Sequence, residues 1–181
     1  MLAGIASAAR EKSYTIPSPD GTIGITLTVG NRIAYEVRVD GRPVVAPTPV
    51  AMTLDNGTVW GASAQPSRIR KGTVDTSFAT PFYIKERVAD RYNWLRADFR
   101  QGFALELRAY DDGVAYRFIS TTDRSLVVAS EEAGARFPGD WTCWAPYVRD
   151  CDGAEIIPFG SQFKTSFENL YTVARLSELD P

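Results

Sequence analysis

The chain has 181 residues, a formal net charge of −2 and no histidine. That length suits one domain of ~100–200 residues with a sizeable core. A composition of 44% hydrophobic and 23% charged residues excludes a disordered or fibrous chain. A balanced charge argues against a partner that presents many phosphates, so no nucleic acid is expected. Without imidazole there is no Ser-His-Asp or Cys-His machinery and no histidine-bound zinc or iron.

Met1 to Ala9 is short, small and mildly apolar. It reads either as the remnant of a secretory signal or as a frayed start, and residues 1–13 are set apart on that basis. No membrane span is expected, because no later run approaches the ~18 apolar residues of one. From residue 14 onward the dominant period is two, the mark of half-buried strands. Ile23, Ile25, Leu27 and Val29 alternate with small polar residues, Gly30-Asn31 turns the chain, and Ile33, Tyr35, Val37 and Val39 alternate again. This predicts a hairpin. Pro43, Pro47 and Pro49 then predict a stiff connection rather than a strand, since proline donates nothing to a ladder. Val50, Met52 and Leu54 lead to Asn56-Gly57-Thr58, a glycosylation sequon that turn chemistry explains without any sugar.

Residues 93–99 and 103–110 predict strands joined at Gln101-Gly102, and residues 114–119 pair back after Asp111-Asp112-Gly113. The expected inward set is Leu95, Ala97, Phe99, Phe103, Leu105, Leu107, Val114, Tyr116 and Phe118. The hairpin from Arg100 to Ile119 is expected in the middle of a sheet. Leu126 to Ala129 predicts one more short strand. No segment has helical periodicity. The fold class is therefore all-β, a sandwich of packed antiparallel sheets. Residues 138–158 change character and predict an irregular, aromatic-rich loop of the kind that carries function.

Few residues point to chemistry. Asp111 and Asp112 make a carboxylate pair, but they precede a glycine between two strands, and turn formation accounts for them. The run Asp150-Cys151-Asp152-Gly153-Ala154-Glu155 is acid-rich but lacks EF-hand spacing, so a solvated turn is the better reading. Cys143 and Cys151 form one disulfide or remain two thiols; the sequence leaves both open. Trp144, with Trp141 and Tyr147, offers flat apolar faces of the kind that suit a sugar ring, and core packing is the alternative.

The phrase Arg108-Ala109-Tyr110-Asp111-Asp112-Gly113-Val114-Ala115-Tyr116-Arg117-Phe118 resembles the hallmark hairpin of the N-terminal domain of glycoside hydrolase family 97. Ser18-Pro19-Asp20-Gly21, Gly41-Arg42-Pro43-Val44-Val45, Leu54-Asp55-Asn56-Gly57, Phe167-Glu168-Asn169-Leu170-Tyr171-Thr172 and Leu176-Ser177-Glu178-Leu179 follow in the family's order. The resemblance implies an antiparallel β-supersandwich of galactose-mutarotase-like type over residues 14–181, incomplete at its C-terminal end. It further implies an exported bacterial α-glucosidase or α-galactosidase, periplasmic or secreted, that acts on α-linked oligosaccharides. The catalytic groups of such enzymes stand on a (β/α)8 barrel absent from this chain, so the fragment is expected to be inactive and to partner its own barrel. Calcium is the implied cofactor, held mostly by barrel carboxylates, and Glu168 in the matching Glu-x-x-Tyr segment is the implied ligand from this domain. The competing expectations are an autonomous carbohydrate-binding β-domain and a structural interaction module. Mutarotase activity does not follow, because fold likeness carries no chemistry and the required histidine is missing.

Overall fold

The computed structural model describes residues 11–81, 84–147 and 170–179. Met1 to Ala9 lies outside them. Two compact units divide at Pro138 and Gly139. The first holds a meander of β1 (Lys12–Pro17), β2 (Ile23–Val29), β3 (Ile33–Val39) and β4 (Arg42–Pro49), paired in that order. A second ladder pairs β7 (Pro66–Ala79), β8 (Arg87–Phe99), β9 (Phe103–Tyr110) and β10 (Gly113–Ser120) in chain order. A smaller sheet places β5 (Ala51–Leu54) between β6 (Val59–Trp60) and β11 (Val128–Glu132). In the second unit β12 (Thr142–Ala145) pairs with β13 (Thr172–Arg175), and a 3-10 turn, Leu176–Glu178, follows. Every ladder is antiparallel. Among the described residues, no helix is long and apolar enough to cross a membrane.

The period-two pattern explains the core. Ile16, Ile25, Leu27, Val29, Ile33 and Val37 leave the first sheet on one face and meet Leu95, Ala97, Phe99, Phe103, Leu105 and Leu107 of the second. Trp60 closes this core, with its ring stacked on Phe103 at 5.2 Å between centroids, while Phe99 stacks on the same ring at 4.6 Å. Val114, Tyr116 and Phe118 are half-buried against the cluster. The expected inward set is thus the observed one, and the all-β antiparallel sandwich is borne out.

Four expectations need correction. The proline-rich stretch is a strand, β4, and not a connection. It pairs only with β3 in its sheet, and at such an edge a proline can turn its nitrogen away from the ladder. Ala46, between the prolines, sends its N–H outward to the Arg136 carbonyl at 2.7 Å. The hairpin expected in mid-sheet has only β9 in the interior, because β10 ends its ladder. The strand expected at Leu126 to Ala129 runs from Val128 to Glu132, where the ladder with β5 places it. A strand, β12, also lies within the segment expected to be irregular.

Gly61 sets the approach to the core. Its φ is +103°, and a Cβ there would lie 2.5 Å from the Val50 carbonyl oxygen. Gly61→Ala is expected to cost about 1–3 kcal/mol, since both a left-handed backbone and a close contact oppose a side chain. Urea unfolding checks this, with Gly24→Ala as the control, because a methyl group there meets nothing within 4 Å.

Candidate functional site

The hallmark hairpin has two faces. Leu95, Ala97 and Phe99 of β8 and Phe103, Leu105 and Leu107 of β9 fill the core, so Trp94, Arg96, Asp98, Glu106 and Arg108 lie on the opposite face. Register then sets Trp94 opposite Arg108 and Arg96 opposite Glu106, with Arg117 on the other side of Glu106 and Arg70 opposite Arg96. Glu106 accepts from Arg108 Nε at 3.0 Å, from Arg108 Nη2 at 2.9 Å and from Arg117 Nη2 at 2.9 Å. Asp98 accepts from Arg96 Nε at 2.9 Å and from Arg70 Nη2 at 2.6 Å. The Arg108 guanidinium lies 4.5 Å above the ring of the buried Tyr92, a cation–π contact. The Trp94 indole lies so close over Gly72 that a Cβ there would come within 2.7 Å of it.

Two shallow hollows open on this face. One, of about 160 Å³, is bounded by Glu106, Arg108, Tyr110, Ala115, Tyr116 and Arg117. The other, of about 250 Å³, adds Arg70, Tyr92, Trp94 and Arg96 beside Glu106 and Arg108. Burial pushes the Asp98 carboxyl up, but the hydrogen bonds from Arg70 and Arg96 outweigh it and hold it below the usual carboxylate range. Tyr110 and Glu106, against the effect of burial, hold Arg108 protonated more firmly than an ordinary arginine. A carboxylate held ionised between two guanidiniums has no proton to give, so Asp98 is unsuited to act as a general acid. The arrangement is a stiff polar platform with four guanidiniums around two carboxylates. Its guanidiniums are of the kind that pair with an anionic group.

The motif's acidic turn has a different task. Asp111 accepts the backbone N–H of Asp20 at 2.8 Å, and Arg91 stands 3.8 Å from its other oxygen. Asp20 in turn accepts from Ser18 Oγ at 2.5 Å and from the Thr22 N–H at 3.0 Å. The two turn motifs therefore meet, and Asp111 is a clasp between them. Hydrogen bonds from Ser18 first, and then from Thr22, lower the Asp20 pKa from 3.8 to about 2. A depressed folded-state pKa stabilises above the unfolded value and loses that contribution as pH falls. The melting-temperature gap between wild type and Asp20→Asn is thus expected to be full above about pH 5 and to be lost progressively as pH falls to about 1. A gap that does not change across that window would show that the ionised form carries no advantage.

Of the residues singled out in the sequence, Trp144 is described and Glu168 lies outside the described residues. So do Cys151 and the acidic run beginning at Asp150. Trp144 stands on β12 opposite Val173, and the two are 64% and 61% exposed. Its indole is therefore mostly exposed. Cys143 is a free thiol that donates to the Ala174 carbonyl at 3.4 Å. Asp140 accepts from the Ser177 N–H and Oγ, both at 3.0 Å, and so pins the 3-10 turn beside β12. The platform itself was missed in the sequence. Its signal was the alternation of Arg and Glu on β8 and β9, which marks one face but not who meets whom across strands.

The profile of a family described as Glycosyl-hydrolase 97 N-terminal matches residues 16–181. The chain belongs to this family. It is 39% identical over 174 residues to a retaining alpha-galactosidase of Bacteroides thetaiotaomicron, covering 96% of this chain and 26% of that protein. The chain thus spans about a quarter of that relative's length. Among solved structures, a glycoside hydrolase family 97 enzyme from Pseudoalteromonas sp. strain K8, in complex with acarbose, superposes with a TM-score of 0.63 at 18% identity. That match covers 75% of this chain and 22% of the enzyme. A beta-arabinopyranosidase gives 0.71 at 21% identity, covering 88% and 26%. At such identities these structures speak for the fold. The fold and the family together make this the N-terminal domain of a glycoside hydrolase of family 97.

Proposed function

We propose that this is the non-catalytic N-terminal domain of an exported, calcium-dependent α-glycoside hydrolase, periplasmic or secreted, which packs on a catalytic barrel and forms part of its active-site wall. The observation that carries the reading is the family match along residues 16–181, joined to a relative named as an α-galactosidase of which the chain covers only 26%. In this reading the α-linked oligosaccharide is cleaved by groups on the barrel, and the domain positions and encloses. The ion-paired platform of Asp98 and Glu106 fits a supporting role.

Calcium takes ~6–8 oxygen ligands. Among the described residues, no group of three or more His, Cys, Asp or Glu is placed to hold a metal ion. One carboxylate, Glu168, falls short of a site, and in this reading the remaining oxygens come from the barrel. When bound, the ion supplies positive charge beside the substrate. Glu168 contributes one anionic ligand and ties the domain to that site.

A second reading, an autonomous carbohydrate-binding domain, is favoured by the exposed Trp144. One set of assays separates the two. The full-length protein is expected to hydrolyse an aryl α-galactoside or α-glucoside, and the 181-residue chain neither to hydrolyse it nor to bind the free sugar. Turnover by the chain alone, abolished by a single substitution in it, would overturn the reading. Sugar binding by the chain alone, lost in Trp144→Ala, would favour the second.

A further inference from the structure

Asn56-Gly57 stands in the turn between β5 and β6. Two backbone bonds close that turn. The Gly57 N–H donates to the Leu54 carbonyl at 3.0 Å, and the Leu54 N–H donates to the Thr58 carbonyl at 2.9 Å. The Asn56 side-chain oxygen accepts the Thr58 N–H at 3.0 Å, which makes an Asx turn. Gly57 has a φ of +80°, a backbone that favours glycine. The turn therefore selects glycine after Asn56, and that pair carries a reaction of its own.

An asparagine side chain is open to attack by the backbone nitrogen of the residue that follows it. That nitrogen loses its proton to a solvent base and bonds to the side-chain carbonyl carbon. The amide nitrogen takes up a proton and leaves as ammonia. Water then opens the succinimide ring at either carbonyl and gives aspartate or isoaspartate. A side chain on the attacking residue obstructs the approach, and glycine has none. Asn31, Asn93 and Asn169 are followed by Arg32, Trp94 and Leu170, whereas Asn56 is followed by Gly57. The turn holds both reacting groups back. The attacking nitrogen is the one tied to Leu54, and the side chain it must reach is tied to Thr58. These bonds lie wholly within Leu54 to Thr58, so they hold whatever packs on the hairpin from outside. We infer that Asn56 is a site of spontaneous deamidation and that the turn from Leu54 to Thr58 is its gate. The reaction runs when the turn opens. Its isoaspartyl product lengthens the main chain by a methylene in the hairpin that seats Trp60 on Phe103.

The test incubates the full-length protein at mildly alkaline pH, folded in one arm and unfolded in guanidinium chloride in the other. Peptide mass spectrometry separates the asparaginyl, aspartyl and isoaspartyl forms. In the unfolded arm Asn56 is expected to convert before Asn31, Asn93 and Asn169. In the folded arm it should convert at least about tenfold more slowly, since a reaction of the open form follows the population of that form. Hydrogen exchange at the Gly57 amide of the folded protein should be slowed by a similar factor, because exchange needs the same N–H released. No conversion in the unfolded arm, or earlier conversion at one of the other three asparagines, would remove Asn56 as the site. Equal rates in the two arms, or fast Gly57 exchange beside slow deamidation, would overturn the gate.

Discussion

Glu168→Gln in the full-length enzyme is expected to weaken calcium binding by at least roughly tenfold, because loss even of an indirect partner of a metal ligand costs about 10–100-fold. The substitution keeps the side chain's size and removes its charge. Turnover at low calcium should fall with occupancy and recover as calcium is raised, since the defect lies in filling the site and not in proton transfer. Glu178→Gln is the control. Its carboxylate accepts the Arg175 N–H at 2.7 Å in the cap of the 3-10 turn, a bond that an amide oxygen can replace. Calcium affinity and turnover should be unaffected there. Equal affinities for wild type and Glu168→Gln would remove Glu168 from the calcium site.

Phe103→Ala is expected to cost about 3–5 kcal/mol, the range for truncating a buried aromatic residue. The ring is fully buried and touches three others, Phe99, Trp60 and Phe118, at centroid distances of 4.6, 5.2 and 5.9 Å. No neighbouring strand can close the gap without breaking a ladder. Urea unfolding followed by tryptophan fluorescence measures the loss. Phe78→Ala, at an exposed position of β7, should change the stability of the 181-residue chain by no more than about 0.5 kcal/mol. A cost below about 1 kcal/mol for Phe103→Ala would contradict the position of that ring at the centre of the core.

The parts of the fold that showed in the sequence are those with one wet face and one dry face. β2, β3, β8, β9 and β10 alternate because each lays one row of side chains on the core, and Leu95, Phe103, Leu105 and Leu107 were readable for that reason. β7 was not legible, because it ends its sheet and most of its residues stay in water. β11 is exposed along its whole length and leaves no alternation to read. β4 was hidden by its prolines, whose tolerance depends on an edge position that only the pairing reveals. At the candidate site, the outward direction of Glu106 and Arg108 follows from the same alternation. That Glu106 lies between Arg108 and Arg117, and that Asp20 meets Asp111 across 91 positions, depends on the register between strands. Glu168 was legible only through the family resemblance, since one glutamate in a polar segment has no chemical signature of its own.

The measurement that bears most directly on the proposed role is a crystal structure of the full-length enzyme with calcium and a bound sugar. The proposal predicts a Glu168 carboxylate oxygen in the calcium shell, at about 2.3–2.6 Å, with the other protein ligands drawn from the barrel. A calcium ion held entirely by barrel residues, with Glu168 turned to solvent, would contradict it.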